Sequence, residues 1–87
     1  FKVQILSSTK PLGDNHKEFK GLKGVGSYKE NNLYKYTYGA SENYNEVVRT
    51  RKSIATKFPD AFIIAFKNGK KVNVNEAITE FKKKNNK

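Results

Sequence analysis

A single amphipathic helix between Asn43 and Phe58 is the feature that most constrains the fold of this chain. Seven positions fall on one face of that helix, and six of them are apolar: Tyr44, Val47, Val48, Ile54, Ala55 and Phe58, with Arg51 as the seventh. Asn43 and Glu46 have the spacing of a capping box, and Pro59 ends the helix. A helix with one apolar face must bury it against another layer, which the rest of the chain has to supply.

Short runs with strand patterns can supply that layer. The first six residues alternate, with Phe1, Val3 and Ile5 on one face and Lys2, Gln4 and Leu6 on the other. Residues 33–38 are aromatic and β-branched and end at Gly39, whereas residues 61–66 are continuously apolar, as in a strand covered on both sides. Residues 25–30 form a further candidate strand, joined to the next by a predicted hairpin turn at Asn31-Asn32.

The order of these elements predicts an α+β domain. It reads β-α-β-β-α-β, as in ferredoxin-like and RNA-recognition-like folds, with helices on one face of an antiparallel sheet and the other face open. Asp14 is predicted to cap a short first helix that runs to about Leu22. We assign residues 1–66 to this core. Residues 67–87 then form an extension with a hairpin strand, which a predicted turn at Asn68-Gly69 introduces, a short helix and a basic tail.

Composition restricts the classes of function. Eighteen Lys and Arg against eight Asp and Glu give a formal net charge of +10, which favours nucleic acid, acidic lipid or acidic polysaccharide as partner without choosing among them. The chain has no Cys, and its one histidine is His16, so no thiolate metal site or histidine-based triad can form within it. No run approaches the ~20 apolar residues that cross a bilayer. We therefore expect a binding domain without catalysis, cofactor or metal.

Three motifs lie in register with a known family. They are Val3-Gln4-Ile5-x-Ser7, the LYKYTYG run of residues 33–39 and the FPDAFII run of residues 58–64. Together they resemble the sporulation-related repeat (SPOR) domain, in the version at the C-terminus of N-acetylmuramoyl-L-alanine amidases from Bacteroides-type bacteria. The resemblance spans roughly residues 1–66. It implies a βαββαβ fold whose open sheet face binds peptidoglycan glycan strands stripped of their stem peptides, at septa and remodelling sites of dividing cells.

The resemblance also implies a set of glycan-binding residues. In the family pattern a Gln and a Ser of the first strand face the glycan, as do alternate residues of the strand that ends at Gly39. Tyr28 and Lys29, on the neighbouring strand, could extend the cleft. The expected site is Gln4, Ser7, Tyr28, Lys29, Leu33, Lys35 and Thr37. Lys35 is the candidate for the lactyl carboxylate of the glycan, and Gln4 for an acetamido or hydroxyl group. Leu33 and Lys35 stand where the family frequently has Trp or Tyr and Arg.

The resemblance further implies a cellular context. The chain begins at Phe1 and contains no Met, so we expect a part cut from a larger cell-wall amidase, with the catalytic domain outside this chain and the signal peptide upstream. The expected location is the periplasm or elsewhere in the bacterial envelope. The expected partner is the stripped glycan strand, bound by a monomer without cofactor, and not nucleic acid.

The alternative is a single-stranded nucleic-acid-binding domain that uses the same sheet face. Residues 23–28 begin like an RNA-recognition motif but have Val and Ser where two stacking aromatics belong, and residues 21–24 fit a GxxG loop without the second helix of a KH domain. Tyr34, Tyr36 and Tyr38 could stack bases or sugars, but they alternate with Lys35 and Thr37. We therefore expect these tyrosines to pack in the core.

Overall fold

The structure, a computed structural model, describes residues 1–13 and 16–85, so the predicted cap Asp14 lies outside the described residues. The elements are β1 (Lys2–Ser8), a 3-10 turn (Lys17–Phe19), β2 (Gly26–Glu30), β3 (Leu33–Ala40), α1 (Tyr44–Ile54), β4 (Phe62–Lys67), β5 (Lys70–Val72) and α2 (Val74–Asn85). The α+β class is confirmed. The predicted first helix is reduced to the 3-10 turn. Within the described residues, no helix has the length and apolar character needed to span a membrane.

The five strands form one antiparallel sheet in the order β2-β3-β1-β4-β5. The two predicted hairpin turns are confirmed. Asn31 and Asn32 have φ values of 53° and 64°, and Asn68 and Gly69 have 52° and 81°. This left-handed conformation is the one that tight hairpins require and that Asn and Gly adopt most readily. Local turn chemistry therefore fixes both edges of the sheet.

Helix α1 covers one face of the sheet. Its cap is as predicted, since the Asn43 side chain accepts a hydrogen bond from the backbone N–H of Glu46. Val47 and Ile54 are buried against Val3 and Ile5 of β1. The helix ends at Ile54, four residues before the predicted Phe58, although Phe58 N–H still donates to the Ile54 carbonyl at 2.8 Å. Phe58 is buried in the same core.

The tyrosines of β3 pack towards α1, as expected. Tyr36 is buried, and Tyr34 and Tyr38 pack against the same core. The Tyr36 hydroxyl accepts a hydrogen bond from the backbone N–H of Leu12 at 2.6 Å, which satisfies its polar end. The ring of Phe19, from the 3-10 turn, lies 5.1 Å from the Tyr36 ring. These tyrosines are therefore structural rather than a stacking surface.

A β-bulge in β1 changes the expected alternation. Gln4 pairs with Thr37 but Leu6 pairs with Tyr36, so one extra residue is inserted between them. Leu6 consequently packs against the core that Val3 and Ile5 form, and its predicted place beside Gln4 is wrong. Ser7, three residues after Gln4, is returned to the Gln4 face by the same bulge.

Helix α2 packs on the α1 side of the sheet. Its Phe81 ring lies 6.2 Å from the ring of Phe1 and 6.5 Å from that of Tyr44. Lys67 of β4 donates to Glu80 of α2 at 2.8 Å, and this hydrogen bond holds the pKa of Glu80 below its ordinary value. The C-terminal extension is thus joined to the core by an aromatic cluster and an ion pair, and α2 leaves the opposite sheet face uncovered.

Candidate functional site

The sheet face turned away from α1 carries most of the expected site residues. Cross-strand neighbours share a face, and Gln4 lies opposite both Thr37 and Phe62, whereas Ser7 lies opposite Lys35. Lys35 in turn lies opposite Tyr28, and Leu33 opposite Glu30. The structure therefore brings six of the seven expected residues to one face: Gln4, Ser7, Tyr28, Leu33, Lys35 and Thr37.

Lys29 is the expected residue that the structure does not place there. It lies opposite Tyr34, whose ring packs against the core on the α1 side. The Lys29 Nζ lies 5.4 Å from the centre of that ring. Because neighbouring residues of a strand point to opposite faces, Tyr28 and Lys29 cannot extend the same cleft.

The sheet curls towards this face until side chains of its two edge strands, β2 and β5, touch. The ring of Tyr28 on β2 also lies 5.1 Å from that of Phe66 on β4, edge to face. Lys71 Nζ of β5 lies 3.2 Å from Glu30 Oε1 of β2. We call this the concave face, and we call the four residues that close it, Tyr28, Glu30, Phe66 and Lys71, the clasp.

The clasp covers the centre of the face that the sequence predicts to be bare. The Tyr28 hydroxyl donates to Gln4 Oε1 at 2.7 Å. Gln4 is 7% exposed and Thr37 is 5% exposed, so the expectation that both side chains lie open to solvent is wrong. A ligand can replace Tyr28 on the Oε1 atom of Gln4 only if Tyr28 moves. Its role in binding stays a prediction.

The clasp also determines the charge of the face. Burial lowers the pKa of Lys71, but hydrogen bonding and charge interaction with Glu30, together with Tyr28, outweigh it and leave the pKa raised. Lys2 adds a second ammonium group, with its Nζ 5.0 Å from the centre of the Phe66 ring. Both cations are therefore held beside the aromatic pair of the clasp.

Beside the clasp, one aromatic ring is open to solvent. Phe62 is 50% exposed and is the exposed large hydrophobic residue found in the described part of the chain. It lies directly opposite Gln4, on the same face as Ser7, which is exposed, and Lys35, which is half-buried. The concave face thus places an exposed ring beside a hydroxyl and an ammonium group, with the amide of Gln4 largely buried next to them.

Phe62 is not among the site residues that the sequence predicts. The strand is covered on both sides at its centre, as predicted, where Ile64 and Ala65 are buried. Strand alternation places Phe62 on the same face as Ile64 and Phe66. The local sequence therefore does not indicate that Phe62 alone is exposed. Phe62 is the first residue of β4, four residues before Phe66, the residue of this strand that belongs to the clasp.

The described part of the chain shows no candidate metal centre. Among residues 1–13 and 16–85, no group of three or more His, Cys, Asp or Glu side chains could hold a metal ion. Comparison with known proteins adds no assignment, since no family model, no curated protein and no solved structure matches this chain. The functional interpretation therefore depends on the sequence motifs and on the chemistry of the concave face.

Proposed function

We propose that this chain is a non-catalytic module that binds peptidoglycan glycan strands stripped of their stem peptides. The observation that carries the proposal is the exposed ring of Phe62 opposite Gln4, on a sheet face that also has Ser7, Lys35 and Lys71. A ligand for such a surface needs an apolar face for the ring, hydrogen-bonding groups and a negative charge.

A stripped glycan strand has all three properties. The C–H faces of its sugar rings can pack on Phe62, and its acetamido and hydroxyl groups can bond to Ser7 and Gln4. Each disaccharide also has one lactyl carboxylate, which stays blocked by an amide bond while the stem peptide is attached. Preference for the stripped strand follows, because the lactyl group can make a charge-assisted hydrogen bond to a lysine only when its own carboxylate is free.

The same proposal includes the fold family of the chain and the kind of protein to which it belongs. The fold is a SPOR-like βαββαβ core in which the first helix has shortened to the turn at Lys17–Phe19. The parent protein is a cell-wall amidase of the bacterial envelope, and the module delivers that enzyme to stripped strands. The motifs of residues 3–7, 33–39 and 58–64 support these assignments.

The experiment is a titration of the protein with glycan oligomers, stripped by amidase or still carrying stem peptides. We expect wild type to bind the stripped oligomer more tightly. Phe62→Ala should weaken binding about five- to tenfold because the sugar loses its apolar platform. Phe62→Trp should retain affinity, whereas Phe62→Leu, which keeps apolar area without a flat ring, should behave like Phe62→Ala. Far-UV circular dichroism checks that each variant is folded.

Two results would contradict the proposal. One is equal affinity of wild type for stripped and peptide-bearing oligomers. The other is tighter binding of single-stranded RNA or DNA, with a slope of log affinity against log salt of about −0.7 for each phosphate contacted. The second result would favour the nucleic-acid alternative, for which Phe62 would stack on a base.

A further inference from the structure

The clasp contains a carboxylate that an external ligand could replace. Among the described residues, Glu30 is the acidic residue that strand pairing places on the concave face, where it forms a salt bridge with Lys71. Its partner Lys71 lies 5.8 Å from the centre of the Tyr28 ring. The structure therefore contains a formed carboxylate position, bounded by a lysine and a tyrosine, on the face assigned to the ligand.

We propose that Lys71 binds the carboxylate of the ligand, and that Glu30 occupies the same position when no ligand is bound. This inference rests on the proposed function and assigns to Lys71 the role that the sequence alone suggests for Lys35. Binding then exchanges an internal carboxylate for the lactyl carboxylate of the glycan.

The exposure of the ion pair suits such an exchange. The side chains of Lys71 and Glu30 are 37% and 35% exposed, so the pair is weakened by solvent and can open readily. Because Lys71 is partly exposed to water, its ammonium group stays charged while the carboxylate of the ligand replaces that of Glu30. The ligand carboxylate can bind Lys71 only in molecules in which the Glu30–Lys71 pair is open. The apparent affinity for the ligand is therefore reduced in proportion to the fraction of molecules in which the pair is closed.

The test compares two glycan oligomers of equal length in matched charge variants. One oligomer is stripped peptidoglycan glycan with lactyl carboxylates, and the other is a neutral oligomer of N-acetylglucosamine without them. Glu30→Gln should bind the first about two- to fivefold more tightly than wild type because the internal competitor is lost. Lys71→Gln should bind it about five- to tenfold more weakly. Affinity for the neutral oligomer should respond much less to Lys71→Gln.

Glu46→Gln is the matched control. It changes net charge by the same unit as Glu30→Gln, but Glu46 is on α1, on the other side of the sheet. Equal effects of the two Glu→Gln changes would overturn the inference, since net charge alone would then explain them. Loss of affinity for both oligomers in Lys71→Gln would also overturn it, because the contact would then not be to the carboxylate.

A ligand-fragment experiment separates this inference from the proposed function. Sodium lactate is titrated into wild type, Glu30→Gln and Glu46→Gln, and the NMR signals of the Lys71 side chain are followed. We expect them to shift at lower lactate concentration in Glu30→Gln than in the other two proteins. If no protein binds any glycan but this difference appears, the proposed function fails and the carboxylate site stands. If lactate affects all three alike, the carboxylate site fails.

Discussion

At the scale of single residues, the burial of Gln4 is the feature with the largest consequences. A polar side chain that is buried in a sheet must have its hydrogen bonds satisfied by the protein, because water cannot reach it. Tyr28 fulfils that requirement with one short bond from its hydroxyl. Gln4 therefore contributes to stability in the closed molecule, and a ligand that replaces Tyr28 on its Oε1 atom must first break this bond.

We predict that Gln4→Ala lowers the free energy of unfolding by about 1–2 kcal/mol, since the hydrogen bond is lost and a gap remains beneath Tyr28. Tyr28→Phe should cost about 1 kcal/mol, and the double variant should cost less than the sum of the two. Urea denaturation measures all three. Ser7→Ala, an exposed change on the same strand, is the control and should stay within about 0.5 kcal/mol of wild type. If Gln4→Ala costs no more than Ser7→Ala, the clasp is open in solution.

At the scale of elements, the packing of α1 on β3 depends on Gly39. The sequence predicts that β3 ends at this glycine, but the strand continues to Ala40. Gly39 has a φ of +70°, and a Cβ atom added there would lie 2.7 Å from Cγ2 of Thr50 on α1. The glycine therefore allows the strand to turn and the helix to lie close to the backbone.

We predict that Gly39→Ala destabilises the fold by about 2–4 kcal/mol, from the left-handed backbone together with the contact with Thr50. Gly69→Ala is the matched control, because Gly69 has a φ of +81° but an added Cβ there meets no atom within 4 Å. It should show the backbone cost alone, about 1–2 kcal/mol. Adding Thr50→Ser to Gly39→Ala removes the methyl group and should recover part of the loss in thermal unfolding. A failure to recover any stability would show that the helix does not approach Gly39 this closely.

At the scale of the whole molecule, charge opposes folding. The net charge is +10, and the described residues form only two salt bridges, each between partly exposed side chains. Repulsion among the remaining cations therefore destabilises the compact state more than the ion pairs stabilise it. Added salt screens this repulsion over distances greater than ~10 Å at about 0.1 M.

We predict that the unfolding temperature rises when NaCl is raised from about 10 to about 150 mM, by a few degrees, since ~1 kcal/mol corresponds to about 4–8 °C in a domain of this size. Differential scanning calorimetry measures the shift. A variant with Lys82, Lys83 and Lys84 changed to Gln has three fewer positive charges and should show a smaller rise. A fall in unfolding temperature with salt would mean that the ion pairs outweigh the repulsion.

The sequence by itself determined the features that depend on short stretches of chain. The amphipathic stripe predicted α1 and its cap, the Asn and Asn-Gly pairs predicted both hairpins, and alternation assigned Tyr34, Tyr36 and Tyr38 to the core. The helix and the hairpins depend on contacts within a few residues, and the burial of the tyrosines depends on which of the two strand faces they occupy. Such contacts are fixed by backbone geometry and side-chain polarity before the chain has a tertiary structure.

The tertiary structure alone decided which part of the sheet face is open. The curl that buries Gln4 accumulates over five strands, and the bulge that moves Leu6 into the core appears only in the pairing of β1 with β3. The Glu30–Lys71 contact joins residues 41 positions apart, and Phe62 is 50% exposed although Ile64, on the same face of β4, is buried. These features arise from the twist and register of strands distant in sequence, which no local pattern encodes.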